Sequence, residues 1–391
     1  MTRPRWELAD VVRQYGAEYL KRYPTSVAQR RVMRALQNCR TAVMGGHVET
    51  CRSCAHRQIS YNSCRNRHCP KCQGSACAQW MQRRATELLP VPYFHVVFTL
   101  PNVLVDLTLA NPRLMYGMLF RAASQTLLAV LHTWGQTLMP HPHLHCVVPS
   151  GGLAPDRTRW VAGRADFFLP VRVLSRLFRG KFLDLLKQAY VAGKLEFPGR
   201  LASAADPQDF KRLLNRSVRT EWVVYARPPF GGPESVLKYL ARYTHRVAIS
   251  NSRLLNVADG QVTFRYKDYA QGSRKRTMTL AATEFLRRFL QHVLPDGLMR
   301  IRHYGFLANR FRAEKIALCR GLLEGSGPLS EKRPRAMSPV PGESSAICPS
   351  CGQAALQRSQ ELHSRWERLP APYLVRASLP ASELWEVCDT S

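Results

Sequence analysis

The chain has 391 residues, with 57 lysines and arginines against 27 aspartates and glutamates, a formal net charge of +30. A chain this basic seeks polyanionic partners. The 45% share of hydrophobic residues supports packed cores in two or three domains and excludes wholesale disorder. No apolar run reaches the roughly 18 residues of a membrane span, because the most apolar stretch, Tyr93 to Ala110, is broken by His95, Pro101, Asn102 and Asp106.

In chain order, Met1 to Asp10 carries Arg3, Arg5, Trp6, Glu7 and Asp10 with no apolar core behind them. This does not read as a signal peptide, and a cytoplasmic location is expected. Thr25 to Asn38 sets Val27, Met33 and Leu36 among Arg30, Arg31 and Arg34, the pattern of an amphipathic helix with a basic face. Most of the twelve cysteines fall between Cys39 and Cys77 or in the Cys348/Cys351 pair. In a reducing compartment this usage argues for metal, zinc in particular, over disulfides. Cys51-x2-Cys54 and Cys69-x2-Cys72, fourteen residues apart, read as two knuckles whose four thiolates close one structural zinc tetrahedron. The polar and basic residues between them cannot form a core, so metal would supply the folding energy of this unit. Cys64, His68 and Cys77 offer a second zinc or an alternative ligand set, and read equally well as ordinary side chains beside a zinc site.

At Pro90 to Pro92 this Cys- and Arg-rich segment gives way to Tyr93-Phe94-His95-Val96-Val97-Phe98-Thr99-Leu100, a strand pattern. Further on, His141-Pro142-His143-Leu144-His145-Cys146 alternates histidines, which a strand projects from one face while Leu144 and Cys146 anchor the other. His143 and His145 can present nitrogens to one divalent cation and leave positions for a substrate oxygen. His141 precedes a proline and has the weaker claim, and no third ligand is identified. Gly232-Pro233 opens a helical pattern over Glu234 to Ala248. There Tyr239 and Tyr243 stand at i and i+4, beside a stripe of Lys238, Arg242 and Arg246 suited to phosphate contact. Val262 to Lys267 and Lys275 to Leu280 flank a polar turn at Gly272, a hairpin whose aromatics Phe264 and Tyr266 suit either base stacking or a core.

From Glu331 to Ser391 there are seven basic and seven acidic residues, so the whole charge excess lies in residues 1 to 330. The tail opens with Pro334, Ser338, Pro339, Pro341, Gly342, Ser344 and Ser345, a linker composition. The organisation expected is therefore a basic helical and zinc-binding domain over 1–90, a central domain over 91–325, and a linker and tail over 326–391. The pair Cys348/Cys351 is half a zinc site with no second pair in the tail.

A tyrosyl oxygen with the ordinary phenol pKa near 10 attacks a phosphodiester poorly unless a metal polarises the phosphate and cations stabilise its oxygens. Histidine pair, cationic stripe and tyrosine pair together supply those parts. A phosphotyrosine bond would conserve the phosphodiester energy, so strand transfer would need no nucleotide cofactor.

The order of these motifs resembles the rolling-circle, two-tyrosine transposases of the insertion-sequence-91 type, with their histidine–hydrophobic–histidine (HUH) motif. The resemblance covers about residues 30 to 325. It rests on Arg67-His68-Cys69-Pro70-Lys71-Cys72-Gln73, Phe98-Thr99-Leu100-Pro101, the run from His141 to Leu153, Tyr239 to Arg246, and Arg302-His303-Tyr304-Gly305-Phe306-Leu307-Ala308-Asn309-Arg310. It implies an α+β fold, an antiparallel-sheet HUH endonuclease core with flanking helices. In that core His143 and His145 would bind catalytic Mg2+ or Mn2+, and Tyr239 and Tyr243 would attack single-stranded DNA at the element's ends, leaving a 5′-phosphotyrosine and a free 3′-hydroxyl. Ser150 departs from the family, standing where a further glycine is expected before Gly151-Gly152; a small residue keeps the turn. Two other readings stand beside this one. The first is a non-catalytic zinc-dependent DNA-binding protein, and the second a plasmid relaxase or replication initiator using the same chemistry.

Overall fold

The computed structural model describes residues 4–123, 128–164, 166–227, 247–324 and 346–364. Among them the fold is α+β, and every strand pairing is antiparallel. The helices are α1 (Leu8–Arg22), α2 (Val27–Asn38), α3 (Gly74–Ala85), α4 (Val105–Ala110), α5 (Pro112–Ala122), α6 (Val171–Val191), α7 (Pro207–Arg219), α8 (Ala282–Leu290) and α9 (Arg312–Glu324). None is long and apolar enough to cross a membrane.

The strands begin with a hairpin, β1 (Gly46–Cys51) and β2 (Arg57–Tyr61). They continue through β3 (Tyr93–Thr99), β4 (Leu128–Trp134), β5 (Pro140–Pro149), β6 (Gly151–Leu153), β7 (Trp160–Ala162) and β8 (Val224–Arg227). After the gap come β9 (Leu254–Ala258), β10 (Gln261–Asp268), β11 (Arg274–Ala281), β12 (Ile301–His303), β13 (Ala346–Ile347) and β14 (Ala354–Leu362).

The central sheet runs β12-β4-β5-β3-β8. Period-two alternation fixes which side chains meet the core. Phe94, Val96, Phe98, Leu144, Cys146, Ala129 and Leu131 point to one face and are buried against α5, α6 and α7, through Met115, Tyr116, Phe178, Phe182 and Phe210. Each such large side chain contributes about 1.5–3 kcal/mol, and a one-residue slip of β5 would put His143 and His145 into this core instead. The opposite face is left for the histidines.

A second core joins the N-terminal helices to the segment from Ala248 to Leu290. Ser26 caps α2 in a capping box with Gln29, and α1 and α2 pack Leu8, Val12, Met33 and Leu36 against Phe264 of β10 and Phe285, Leu286 and Phe289 of α8. The expected hairpin exists as β10 and β11, but its aromatics are core. Phe264 is fully buried and Tyr266 packs against the same cluster, so base stacking on Phe264 is ruled out.

At the end of β5 the chain turns through Ser150 and Gly151. Gly151 sits at φ +129, where an added Cβ would meet Val161 O at 2.6 Å. Ser150, where a further glycine is expected, donates from Oγ to Arg164 O at 2.8 Å.

The last described segment does not stand apart. β14 pairs along β1, giving a four-stranded sheet in the order β13-β14-β1-β2.

Candidate metal-binding and catalytic site

His143 and His145 lie on β5 as the alternation predicts, and the neighbouring strand supplies a third imidazole. In the β4–β5 register His132 stands opposite His143, and the three ligand nitrogens of His132, His143 and His145 lie within 4.8 Å of one another. His141 is outside this group, at the start of the strand. A lone histidine in Leu131-His132-Thr133 carries no local mark of ligation; only the strand register reveals it.

Hydrogen bonds orient the rings. His143 Nδ1 lies 2.6 Å from His141 O; a carbonyl only accepts, so Nδ1 carries the proton and Nε2 is left as a ligand. His145 Nδ1 meets Nε2 of His95, on β3, at 2.9 Å, which leaves Nε2 of His145 for a cation. Burial pushes the His95 pKa down to about 4, so that ring is neutral at pH 7. Partners of this kind fix the tautomer and orientation of a ligating imidazole. His132 is held against Trp134, ring centroids 5.0 Å apart. Three imidazoles suit a divalent first-row cation.

The strand register also puts Tyr225 and Arg227 of β8 on this face, opposite Val97 and His95 of β3. The chain then enters residues 228–246. Tyr239, Tyr243, Lys238, Arg242 and Arg246 lie outside the described residues. Val247 and Ala248, expected to end that helix, are irregular, and Ala248 and Ile249 re-enter the second core.

The Arg302 to Arg310 motif lines a cavity of about 740 Å³. Trp80 and Arg84 of α3, Arg302, His303 and Tyr304 at β12, and Arg312 of α9 contribute to its wall. Arg84 and Arg312 both pair with Glu87. The guanidinium of Arg302 lies 4.2 Å from the Phe120 ring centroid. Arg84 Nε and His303 Nδ1 are buried with no hydrogen-bond partner among the described residues. Burial and then the neighbouring Arg84 and Arg312 push His303 down to about 4. β12 pairs with β4, His303 opposite Leu128, so His132 is four residues along that neighbour, about 13 Å at strand rise.

The cysteines do not form the single set read from their spacing. Cys51 and Cys54 are not brought to Cys69 and Cys72; each pair meets another. Cys69 and Cys72 join Cys39, at the end of α2, and Cys64, while Cys51 and Cys54 join Cys348 and Cys351, each group lying within 4.8 Å. The physical reason is that the β1–β2 hairpin and the Cys69 to Cys72 turn belong to different packing units: Cys69 and Cys72 sit in the second core, Cys51 in a small cluster with Cys348 and Leu356. In the first group Cys72 Sγ lies 3.3 Å from Cys39 Sγ and 3.6 Å from Cys64 Sγ. A tetrahedron with Zn–S near 2.3 Å has sulfur separations of about 3.8 Å, so four such thiols fit zinc with small adjustment. Cys77 and His68 belong to neither group.

Residues 11–100 match the family described as "Transposase zinc-binding domain" and residues 127–315 the family described as "Putative transposase". The chain is 51% identical over 380 residues, 91% of its length and 95% of the relative's, to "Putative transposase y4qJ" of Sinorhizobium fredii (strain NBRC 101917 / NGR234). It is 30% identical over 288 residues, 70% of its length and 68% of the relative's, to "Transposase for insertion sequence element IS801" of Pseudomonas savastanoi pv. phaseolicola. No solved structure matches the chain.

Proposed function

The chain belongs to the insertion-sequence-91 type of transposases with an N-terminal zinc-binding domain, and from that premise we propose that it nicks and rejoins single-stranded DNA at insertion-sequence ends through 5′-phosphotyrosine intermediates. The observation that carries this reading is the convergence of His132, His143 and His145 on one sheet face. The edge strand of that face, β8, leads into the segment bearing Tyr239 and Tyr243.

The three histidines would hold Mg2+ or Mn2+, which when bound supplies polarisation of the scissile phosphate. His141 O and His95 hold two of the imidazoles in ligating orientation. The oxygen of Tyr239 or Tyr243 attacks phosphorus, the phosphorus–O3′ bond breaks, the phenolic proton is given up, and the leaving O3′ takes a proton to become a free hydroxyl. Lys238, Arg242 and Arg246 neutralise the charge that develops on the phosphoryl oxygens. Reversal by a 3′-hydroxyl rejoins strands without a nucleotide cofactor, because the phosphodiester energy is kept in the tyrosyl ester. Two tyrosines allow two attacks, or two held ends, at one site.

The arginine-lined cavity beside β12 gives the strand a path away from the histidines. Trp80 and Tyr304 suit stacking of a base, and the guanidiniums suit the flanking phosphates.

The test is to incubate the full chain with single-stranded DNA carrying the element's ends, with Mn2+ or EDTA, and to look for a denaturation-resistant adduct. The expected adduct is metal-dependent and lost in the Tyr239→Phe/Tyr243→Phe double variant and in His143→Ala/His145→Ala. It persists in Tyr225→Phe, which controls for the tyrosine already on the histidine face. Tight DNA binding with no adduct would refute the covalent mechanism and leave a non-catalytic DNA-binding protein.

A further inference from the structure

We infer that the chain binds two zinc ions, and that the second, held by Cys51, Cys54, Cys348 and Cys351, is a staple completing a zinc ribbon from segments almost 300 residues apart. Cys348 and Cys351 lie outside both family-matched regions, so the zinc-binding domain at 11–100 does not account for them.

The two halves have the same local build. In the first, Ala55 N donates to Cys51 O at 3.0 Å and Cys51 N to His56 O at 2.8 Å; in the second, Gly352 N donates to Cys348 O and Cys348 N to Gln353 O, both at 2.8 Å. The residue four after the first cysteine takes positive φ in both, Ala55 at 58 and Gly352 at 73. Each knuckle thus turns its two thiols the same way at the mouth of a hairpin. They face each other directly: Cys51 Sγ is 3.7 Å from Cys351 Sγ, and Cys54 Sγ 3.7 Å from Cys348 Sγ. These separations match the edge of a zinc tetrathiolate, about 3.8 Å, and are far beyond a disulfide bond near 2.0 Å.

The sheet around the thiols could not hold the C-terminal segment unaided. Its buried apolar cluster is Cys51, Cys348 and Leu356 with Ala355 against it, too little to fix a nine-residue strand. The β1–β14 ladder runs from Gly46 opposite Leu362 to Cys51 opposite Leu356, and metal at its end supplies the missing binding energy. Cys54 and Cys348 are 294 residues apart in sequence, so the ion closes a loop that contains the whole catalytic region. Losing it releases β13 and β14 while leaving the Cys39, Cys64, Cys69 and Cys72 site intact.

The experiment counts metal in the purified full chain by elemental analysis and native mass spectrometry. Two zinc ions per chain are expected, one in Cys348→Ser/Cys351→Ser and one in Cys69→Ser/Cys72→Ser. Cobalt substitution gives a second readout, with the thiolate-to-cobalt absorption of the Cys348→Ser/Cys351→Ser variant falling to half. Hydrogen exchange should show residues 354–362 protected in the parent and unprotected in that variant, while β4 and β5 stay protected and report that it folds. One zinc in the parent, or two retained in Cys348→Ser/Cys351→Ser, overturns the second site. Loss of one zinc with 354–362 still protected overturns the staple. None of these readouts involves DNA cleavage, so the outcome is independent of the phosphotyrosine mechanism.

Discussion

Replacing His95 by phenylalanine isolates the part of the site that orients rather than ligates. His95 is buried, its Nε2 lies 2.9 Å from His145 Nδ1, and the two rings are within 7° of parallel. Since the His95 pKa is pushed down to about 4 by burial, its ring is neutral at pH 7.5 and can accept a hydrogen bond from His145 across the contact. With Nε2 of His145 committed to a cation, His145 Nδ1–H donates and His95 Nε2 accepts. Phenylalanine keeps the ring volume and removes the acceptor, stranding a buried N–H at about 1–3 kcal/mol. Loss of such an outer partner typically weakens metal binding about 10–100-fold, equivalent to about 1.4–2.7 kcal/mol, so the two estimates agree. The assay is a Mn2+ titration followed by the paramagnetic resonance of the free ion. The dissociation constant should rise by about 10–100-fold in His95→Phe, adduct formation should return at saturating Mn2+, and His95→Gln, whose amide oxygen can accept, should recover most of the affinity. An unchanged constant in a folded His95→Phe protein would refute the orienting role.

Acid should destabilise the protein well above the carboxylate range. His292, whose Nε2–H donates to Leu138 O at 3.0 Å, and His303 are both pushed down to about 4, chiefly by burial. Their folded pKa values lie below the ordinary value near 6.5, so stability is full above about pH 6.5 and falls as pH drops towards 4, where the unfolded chain binds protons that the folded chain refuses. Urea unfolding between pH 7 and 4.5 should show an uptake approaching two protons or more; stability flat across that window would contradict the burial argument. The charge of +30 makes single-stranded DNA affinity fall roughly 300-fold between 50 and 200 mM salt if about six phosphates are neutralised. Arg84→Ala with Arg302→Ala should lower the slope of log affinity against log salt by about 1.4, at ~0.7 per phosphate contact on single strands. An unaltered slope would remove the cavity from the DNA path.

The features legible in the sequence are those with a local period or a local cap. Alternation in Tyr93 to Leu100 and His141 to Val148 specifies β3 and β5 and the shared face of His143 and His145. Ser26 with Gln29 and the Val27, Met33, Leu36 spacing specify α2. What the sequence hides depends on register between distant strands. His132 joins the histidine cluster because β4 pairs with β5 so that residue 132 faces residue 143, and nothing within Leu128 to Trp134 encodes that pairing. Phe264 shows the complementary ambiguity: period two is the same whether a face meets a nucleobase or α8, and here Phe285 decides it, ring centroids 5.6 Å apart.

The cysteines expose a weaker assumption, that thiol pairs close in sequence share a metal. Loop-closure entropy grows only with the logarithm of loop length, so the fourteen residues between Cys54 and Cys69 hold an advantage of about 2.7 kcal/mol over the 293 between Cys54 and Cys348, which the packing of each unit outweighs. Packing then decides. α2 is held against α8 by the second core, which fixes Cys39 beside Cys69 and Cys72, and β1 offers its free edge to β14, which fixes Cys348 and Cys351 beside Cys51 and Cys54. The same two contacts tie the N-terminal unit to two segments that follow the tyrosine region in sequence, Ala282–Leu290 and Ala354–Leu362.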